Sequence, residues 1–278
     1  MSGEAQPRAI ASSSNAGLRE SGRELWAFRE LLWTFTVREV KVRYAQSLLG
    51  VAWAIAQPLA LMLAFSVFFG RFAGIRSDGL PYPLFSYAAL LPWTFFTTSL
   101  SFGVPSLVTN TSLVTKVYFP REILPLASVL SAGVDFAAAA AVYGLLMAFY
   151  RISPSLALVH LLPLLVVQLV FTLAVTLILS AINVSYRDVR YAMPLVTQIW
   201  LYATPVIYPL SVVPEAIRPA YQAINPMAAV VDGYRRVLVA SRPPDYSMLG
   251  LSGLCSTLLL LAGYLYFKRA ERSFADVI

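Results

Sequence analysis

Few side chains in this 278-residue sequence could carry reaction chemistry. There is one histidine, His160, and one cysteine, Cys255, and both lie inside apolar runs. A lone cysteine closes no disulfide within the chain, and no metal site is predicted. The carboxylates are scattered, which leaves little material for an active site. No glycine is followed by lysine, so a GxxxxGK[ST] loop that cradles nucleotide phosphates is absent. Asp135 stands within an apolar run that also carries Gly133, Ala137, Ala141 and Gly144. A carboxylate there points to function, and a satisfied structural hydrogen bond accounts for it equally well. The small residues would let another helix approach closely. What remains is charge: Arg38, Lys41 and Arg43 just before the first long apolar run, and Lys116, Arg121 and Glu122 between the second and third.

The elements that position these charges follow from composition. The chain is 58% hydrophobic and only 13% charged, against roughly 25% charged in a soluble domain. Its mean hydropathy is +0.69. That predicts an all-α polytopic membrane protein rather than a nucleic-acid binder, because the basic residues flank apolar runs and do not line one face. Six spans are predicted at about 51–69, 84–108, 123–150, 156–182, 191–208 and 248–267, each near the length that crosses a ~30 Å hydrocarbon core. Residues 1–22, polar and Ser/Gly/Ala-rich, are predicted to be a disordered tail, with no apolar segment of the signal-peptide kind. Residues 23–278 form one transmembrane domain. Between Arg23 and Tyr44, Leu25, Phe28, Leu32 and Phe35 recur at helical spacing among charges, which predicts an amphipathic helix lying on the membrane. With six spans both termini share a side, and 14 of the 21 Lys and Arg fall on it, so the termini are expected in the cytoplasm.

Two connecting stretches stand out. Thr109–Pro125 is basic and amphipathic, with Leu113, Val117 and Phe119 near helical spacing, Asn110, Thr111 and Ser112 able to cap, and Pro120 ending the helix. A short helix on one face of the bilayer and a plain solvated loop both fit. Pro205–Tyr246 is proline-rich, with pieces too short to span. Pro214-Glu215 and Asn225-Pro226 read as helix starts with proline at the first position, predicting two short re-entrant helices at a pore mouth.

Several of these motifs resemble, in order, the permeases of polysaccharide-exporting ATP-binding-cassette transporters. They are Arg38-Glu39-Val40-Lys41-Val42-Arg43-Tyr44, Leu49-Gly50-Val51-Ala52-Trp53-Ala54 with Gln57-Pro58, and Lys116-Val117-Tyr118-Phe119-Pro120-Arg121-Glu122. Tyr186-Arg187-Asp188-Val189, Thr204-Pro205-Val206-Ile207-Tyr208 and Asn225-Pro226-Met227 continue the series. The resemblance runs from about residue 23 to the end. It is strongest to O-antigen export permeases, with teichoic-acid and capsule exporters close by.

The resemblance implies a homodimer in the bacterial inner membrane with two copies of an ABC ATPase subunit, which would bind ATP and Mg while this chain binds no cofactor. A lipid-linked glycan would pass between the two permeases. Ser112, Lys116, Val117, Tyr118, Phe119, Pro120, Arg121 and Glu122, with Arg187 and Asp188, would contact the ATPase. Arg38, Lys41, Arg43 and Tyr44 would border lipid access, and Pro214, Glu215, Asn225, Pro226, Arg235 and Arg236 would form an outer gate. Trp53, Tyr87, Trp93, Trp200, Tyr202 and Tyr208 are channel candidates, because sugar CH faces pack on rings; the same residue types also mark ordinary interfacial belts. A permease for a drug or small lipid, and a membrane-embedded glycosyl- or acyltransferase, are the alternatives. The latter would need clustered carboxylates or an aqueous histidine, which the sequence lacks.

Overall fold

The structure, a computed structural model, describes residues 18–45, 50, 52–75, 77 and 79–274. Among these there are twelve α-helices and no strand: α1 Leu18–Ala27, α2 Arg29–Tyr44, α3 Ala52–Phe65, α4 Tyr82–Gly103, α5 Ser106–Thr109, α6 Thr111–Lys116, α7 Ile123–Phe149, α8 Leu161–Ser185, α9 Asp188–Ala203, α10 Arg218–Ile224, α11 Pro226–Leu238 and α12 Tyr246–Ala270. The predicted tail lies outside the described residues as far as 17, and α1 takes its last five. The predicted start of the first span, Val51, also lies outside them.

Four helical stretches are long and apolar enough to cross a membrane: Ala52–Phe72, which is α3 extended by a wide π-helical turn, Ile123–Phe149, Leu156–Ser185 and Tyr246–Ser273. This is an all-α polytopic membrane protein. Helix α4 carries Pro92 and a row of hydroxyls. Helix α9, at 16 residues, is about 24 Å long; it stops at Ala203 because Pro205 follows.

Contacts sort the helix ends into two groups. At one end, hereafter the near end, Phe119, Ile123, Val184, Phe267 and Phe274 form a buried cluster with Leu25, Phe28, Leu32 and Phe35 packed on it. At the far end, His160 bonds Tyr246 at 2.6 Å, and the Tyr82 hydroxyl donates to the Ile207 carbonyl at 2.8 Å. Helices α8 and α12 therefore run from the far end to the near end, and α7 starts at the near end. The larger core between the two ends is built from α4, α7, α8 and α11, around Tyr87, Phe96, Tyr143, Phe171 and Tyr234.

Two expectations change here. The amphipathic segment does not lie across the near end. It breaks at Phe28 into α1 and α2, and α2 climbs the flank of α7, from Phe35 beside Phe119 to Arg43 and Tyr44 beside Asp135. The glycines of the α7 seam are not packed on among the described residues: a Cβ added at Gly133 or Gly144 would meet none of their atoms within 4 Å. The tight glycines lie elsewhere. Gly103 and Gly233 have Thr176 Cγ2 and Leu164 Cδ2, respectively, 2.4 Å from where a Cβ would stand.

Candidate functional site

The near-end turn is short and firmly attached. Helix α6 ends at Lys116, and Val117 is extended (φ −124°, ψ 135°). Helical spacing therefore fails after Lys116, and Phe119 turns inward. It is 5% exposed and its ring centroid lies 5.9 Å from that of Phe35. This corrects the expectation that Phe119 projects toward a partner: the exposed aromatic is Tyr118, at 75%, bonded to Glu24 at 3.2 Å. Pro120 is also buried. Glu122, fully buried, accepts from Lys268 Nζ at 2.8 Å and from the Tyr264 hydroxyl at 3.2 Å. Burial pushes its carboxyl above the ordinary range, with the Lys268 ammonium pulling the other way. Arg121 donates to the Glu271 carbonyl and side chain. Phe119 through Glu122 thus fasten the turn to α2 and α12. Asn110 does not cap with its side chain; its amide donates to Ser106. Ser112, Lys116, Val117 and Tyr118 stay exposed, and so do Arg187 and Asp188 at the same end, where α8 gives way to α9.

Midway along α7 the charges before the first span find their partner. Asp135 accepts from Arg43 and from the Tyr44 hydroxyl. Arg43 also donates to Ser131 at 2.8 Å, and its guanidinium lies 3.9 Å from the Phe102 ring centroid. The Arg43 and Asp135 side chains are only 8% and 16% exposed. So Asp135 is satisfied by Arg43 and Tyr44, two of the residues expected to border lipid access. Arg38 and Lys41 remain exposed on α2. Beside the pair lies a cavity of about 310 Å³ whose lining includes Trp53, Gln57, Thr94, Thr97, Thr98 and Phe136. The threonines were missed, although their i, i+3, i+4 spacing on α4 was a readable polar stripe.

The aromatic candidates separate by burial. Tyr87 and Trp93 are 0% and 3% exposed, inside the bundle, where no passing sugar reaches them. Trp200 packs edge-on to Phe96 at 5.0 Å and donates to Asn225 at 3.1 Å. Tyr208 is partly buried and bonds the Tyr202 carbonyl. Trp53 and Tyr202 are open, at 55% and 54%.

In the far-end segment, the second predicted helix starts where expected, at Pro226, but α11 is a core helix against α4, α8 and α12. The first starts later, as a 3-10 turn at Glu215–Ile217 followed by α10. Asn225, Pro226 and Arg235 are buried, so they are structural, and only Pro214, Glu215 and Arg236 are exposed. Arg235 bonds the main-chain carbonyls of Phe85, Pro205, Val206 and Tyr208. Carbonyls that the proline-broken stretch after α9 would orphan are thereby satisfied.

The profile of the ABC-2 type transporter family matches residues 30–239, from α2 through α11 and past its end. The chain belongs to that family. As an ABC-2 transporter it has full-length relatives. It is 34% identical over 258 residues to the O-antigen export system permease protein RfbA of Myxococcus xanthus, covering 92% of this chain and 98% of that one. It is 27% identical to a protein of the same name from Klebsiella pneumoniae, over 90% and 95%. More distantly, it is 21% identical to the polysialic acid transport protein KpsM of Escherichia coli, over 85% and 92%. The ABC-2 match takes in the near-end turn, the Arg43–Asp135 pair and the buried α11.

Proposed function

We propose that this chain is the membrane-spanning permease subunit of an exporter that moves a lipid-linked polysaccharide of the O-antigen kind across a bacterial inner membrane. The observation that carries this reading is the nearly end-to-end similarity to a polysaccharide-export permease. The working assembly is two copies of this chain with two copies of a separate ABC ATPase, which binds ATP and Mg. This chain is a transport subunit without an ATP site of its own. Six crossings put both termini and the near end in the cytoplasm; the charge distribution supports that orientation.

The exposed Ser112, Lys116, Val117 and Tyr118, with Arg187 and Asp188, meet the ATPase. Arg38 and Lys41 attract the anionic phosphate of the lipid carrier in the inner leaflet, each adding ~1 kcal/mol near a membrane surface. The glycan then passes between the two permeases, over open rings such as Trp53 and Tyr202. Native mass spectrometry of the chain co-expressed with its ATPase should give a two-plus-two complex that exports glycan in cells lacking the native permease. A lone chain that transports, or one that captures no ATPase, would reject the reading.

A further inference from the structure

At the far end, Pro209–Ser211, Arg218 and the end of α11 enclose a cavity of about 560 Å³. Its charged lining is Arg218, Arg235, Arg236 and Arg242 against one carboxylate, Asp232. Arg235 is part of the wall, oriented by main-chain carbonyls. Arg218 donates to the Val213 carbonyl at 2.7 Å and reaches Glu215 at 3.3 Å. Arg236 engages Asp232 through Nε alone, at 2.7 Å. Arg242 is brought back beside it because Ser241 takes a left-handed φ of 53°, and the Arg242 N–H then donates to the Arg236 carbonyl at 2.8 Å. The Arg242 side chain is exposed and forms no ion pair among the described residues.

Topology does not ask for positive charge here, since it is the terminal side that gathers Lys and Arg. The guanidinium fork is the shape that holds phosphate oxygens in pairs. The same cavity carries an apolar wall of Leu80, Phe85, Leu210 and Val239, next to the exposed Val212 and Ile217. Charge for a headgroup beside apolar surface for a chain matches an amphiphile. We propose that this far-end cavity binds the phosphate or pyrophosphate headgroup of a lipid, with Arg236 and Arg242 as its principal ligands. The exporter reading enters only in the side the cavity faces, the outer leaflet.

The test uses the full chain in nanodiscs of zwitterionic phosphatidylcholine, with farnesyl pyrophosphate, phosphatidylglycerol and inorganic pyrophosphate as probes. Farnesyl pyrophosphate should bind saturably, and Arg236→Gln with Arg242→Gln should weaken it at least tenfold. Asp232→Asn, which removes the opposing carboxylate and releases Arg236, should tighten it severalfold. Because that variant strengthens binding, a folding defect in the arginine pair cannot mimic the result. Displacement by equimolar phosphatidylglycerol assigns the site to bulk anionic phospholipid; resistance assigns it to an isoprenoid pyrophosphate. Unchanged affinity in the arginine pair, no tightening with Asp232→Asn, or inorganic pyrophosphate binding as tightly as the lipid would overturn the proposal. The assay needs no ATPase, so its failure leaves the exporter reading standing, and failure of ATPase capture leaves this site standing.

Discussion

Two adjacent aromatic residues in the near-end turn separate fold from function. Phe119 fills the cluster under α2, so Phe119→Ala should leave a cavity costing about 3–5 kcal/mol, read as a lower melting temperature in detergent. Tyr118 stands open, so Tyr118→Ala should leave melting unchanged and lower both export and permease-stimulated ATP hydrolysis. Equal melting losses in the two variants would contradict this division. The sequence placed the turn correctly but misassigned its anchor: helical periodicity was extended through Val117, where the backbone is already extended. The Arg43–Asp135 pair was legible only in halves. Asp135 was visible as a carboxylate in an apolar run and Arg43 as a charge before a span, but nothing local joins residues 92 apart. Asp135→Ala should strand Arg43 and destabilise the chain by about 3–5 kcal/mol, a loss visible in thermal melting before any transport assay. Arg38→Lys should leave melting unchanged and reduce surface glycan, since it keeps the charge and loses the fork; unchanged export would leave Arg38 a topological charge only.

Helices in this protein meet closely at Gly103, Gly233 and Gly263, and none of these belongs to the obvious small-residue seam. Gly103→Ala would press a methyl onto Thr176 where α4 ends against α8, and overpacking of this kind costs about 1–3 kcal/mol. Gly144→Ala adds a methyl that meets nothing among the described residues. Melting should fall for the first and hold for the second. Helix existence was easy to read, because long apolar runs admit few alternatives: four of the six predicted spans fall on stretches long and apolar enough to cross a membrane, and the other two fall on the helices α4 and α9. The ends that moved are those near prolines, at Pro105 and Pro205. The far-end segment was harder. Its short helices were recognisable from Pro214-Glu215 and Asn225-Pro226, but α11, expected as a short re-entrant helix because its apolar run is too short to span, is buried in the core. The carbonyls that hold Arg235 come from two other places in the chain, Phe85 on α4 and the stretch 205–208, which no local pattern records.

As a whole molecule, the chain has two chemically different ends. In a chain with Cys255 replaced, cysteine at Glu215 should react with an impermeant reagent from outside, and cysteine at Ser112 only after permeabilisation; the reverse would invert the topology. Between the ends, α2 has an unusual attachment. Its Phe35 is pinned to the near-end turn and its Arg43 to the middle of α7. Eight residues separate the two anchors, about 12 Å of helix. An α-helix of that length is a stiff rod, so a push delivered at Phe119 would be carried along α2 to Arg43 and to the cavity lined by Trp53 and Gln57. ATP-driven movement of the turn would then be felt at mid-depth without any relay through the α7–α8 core.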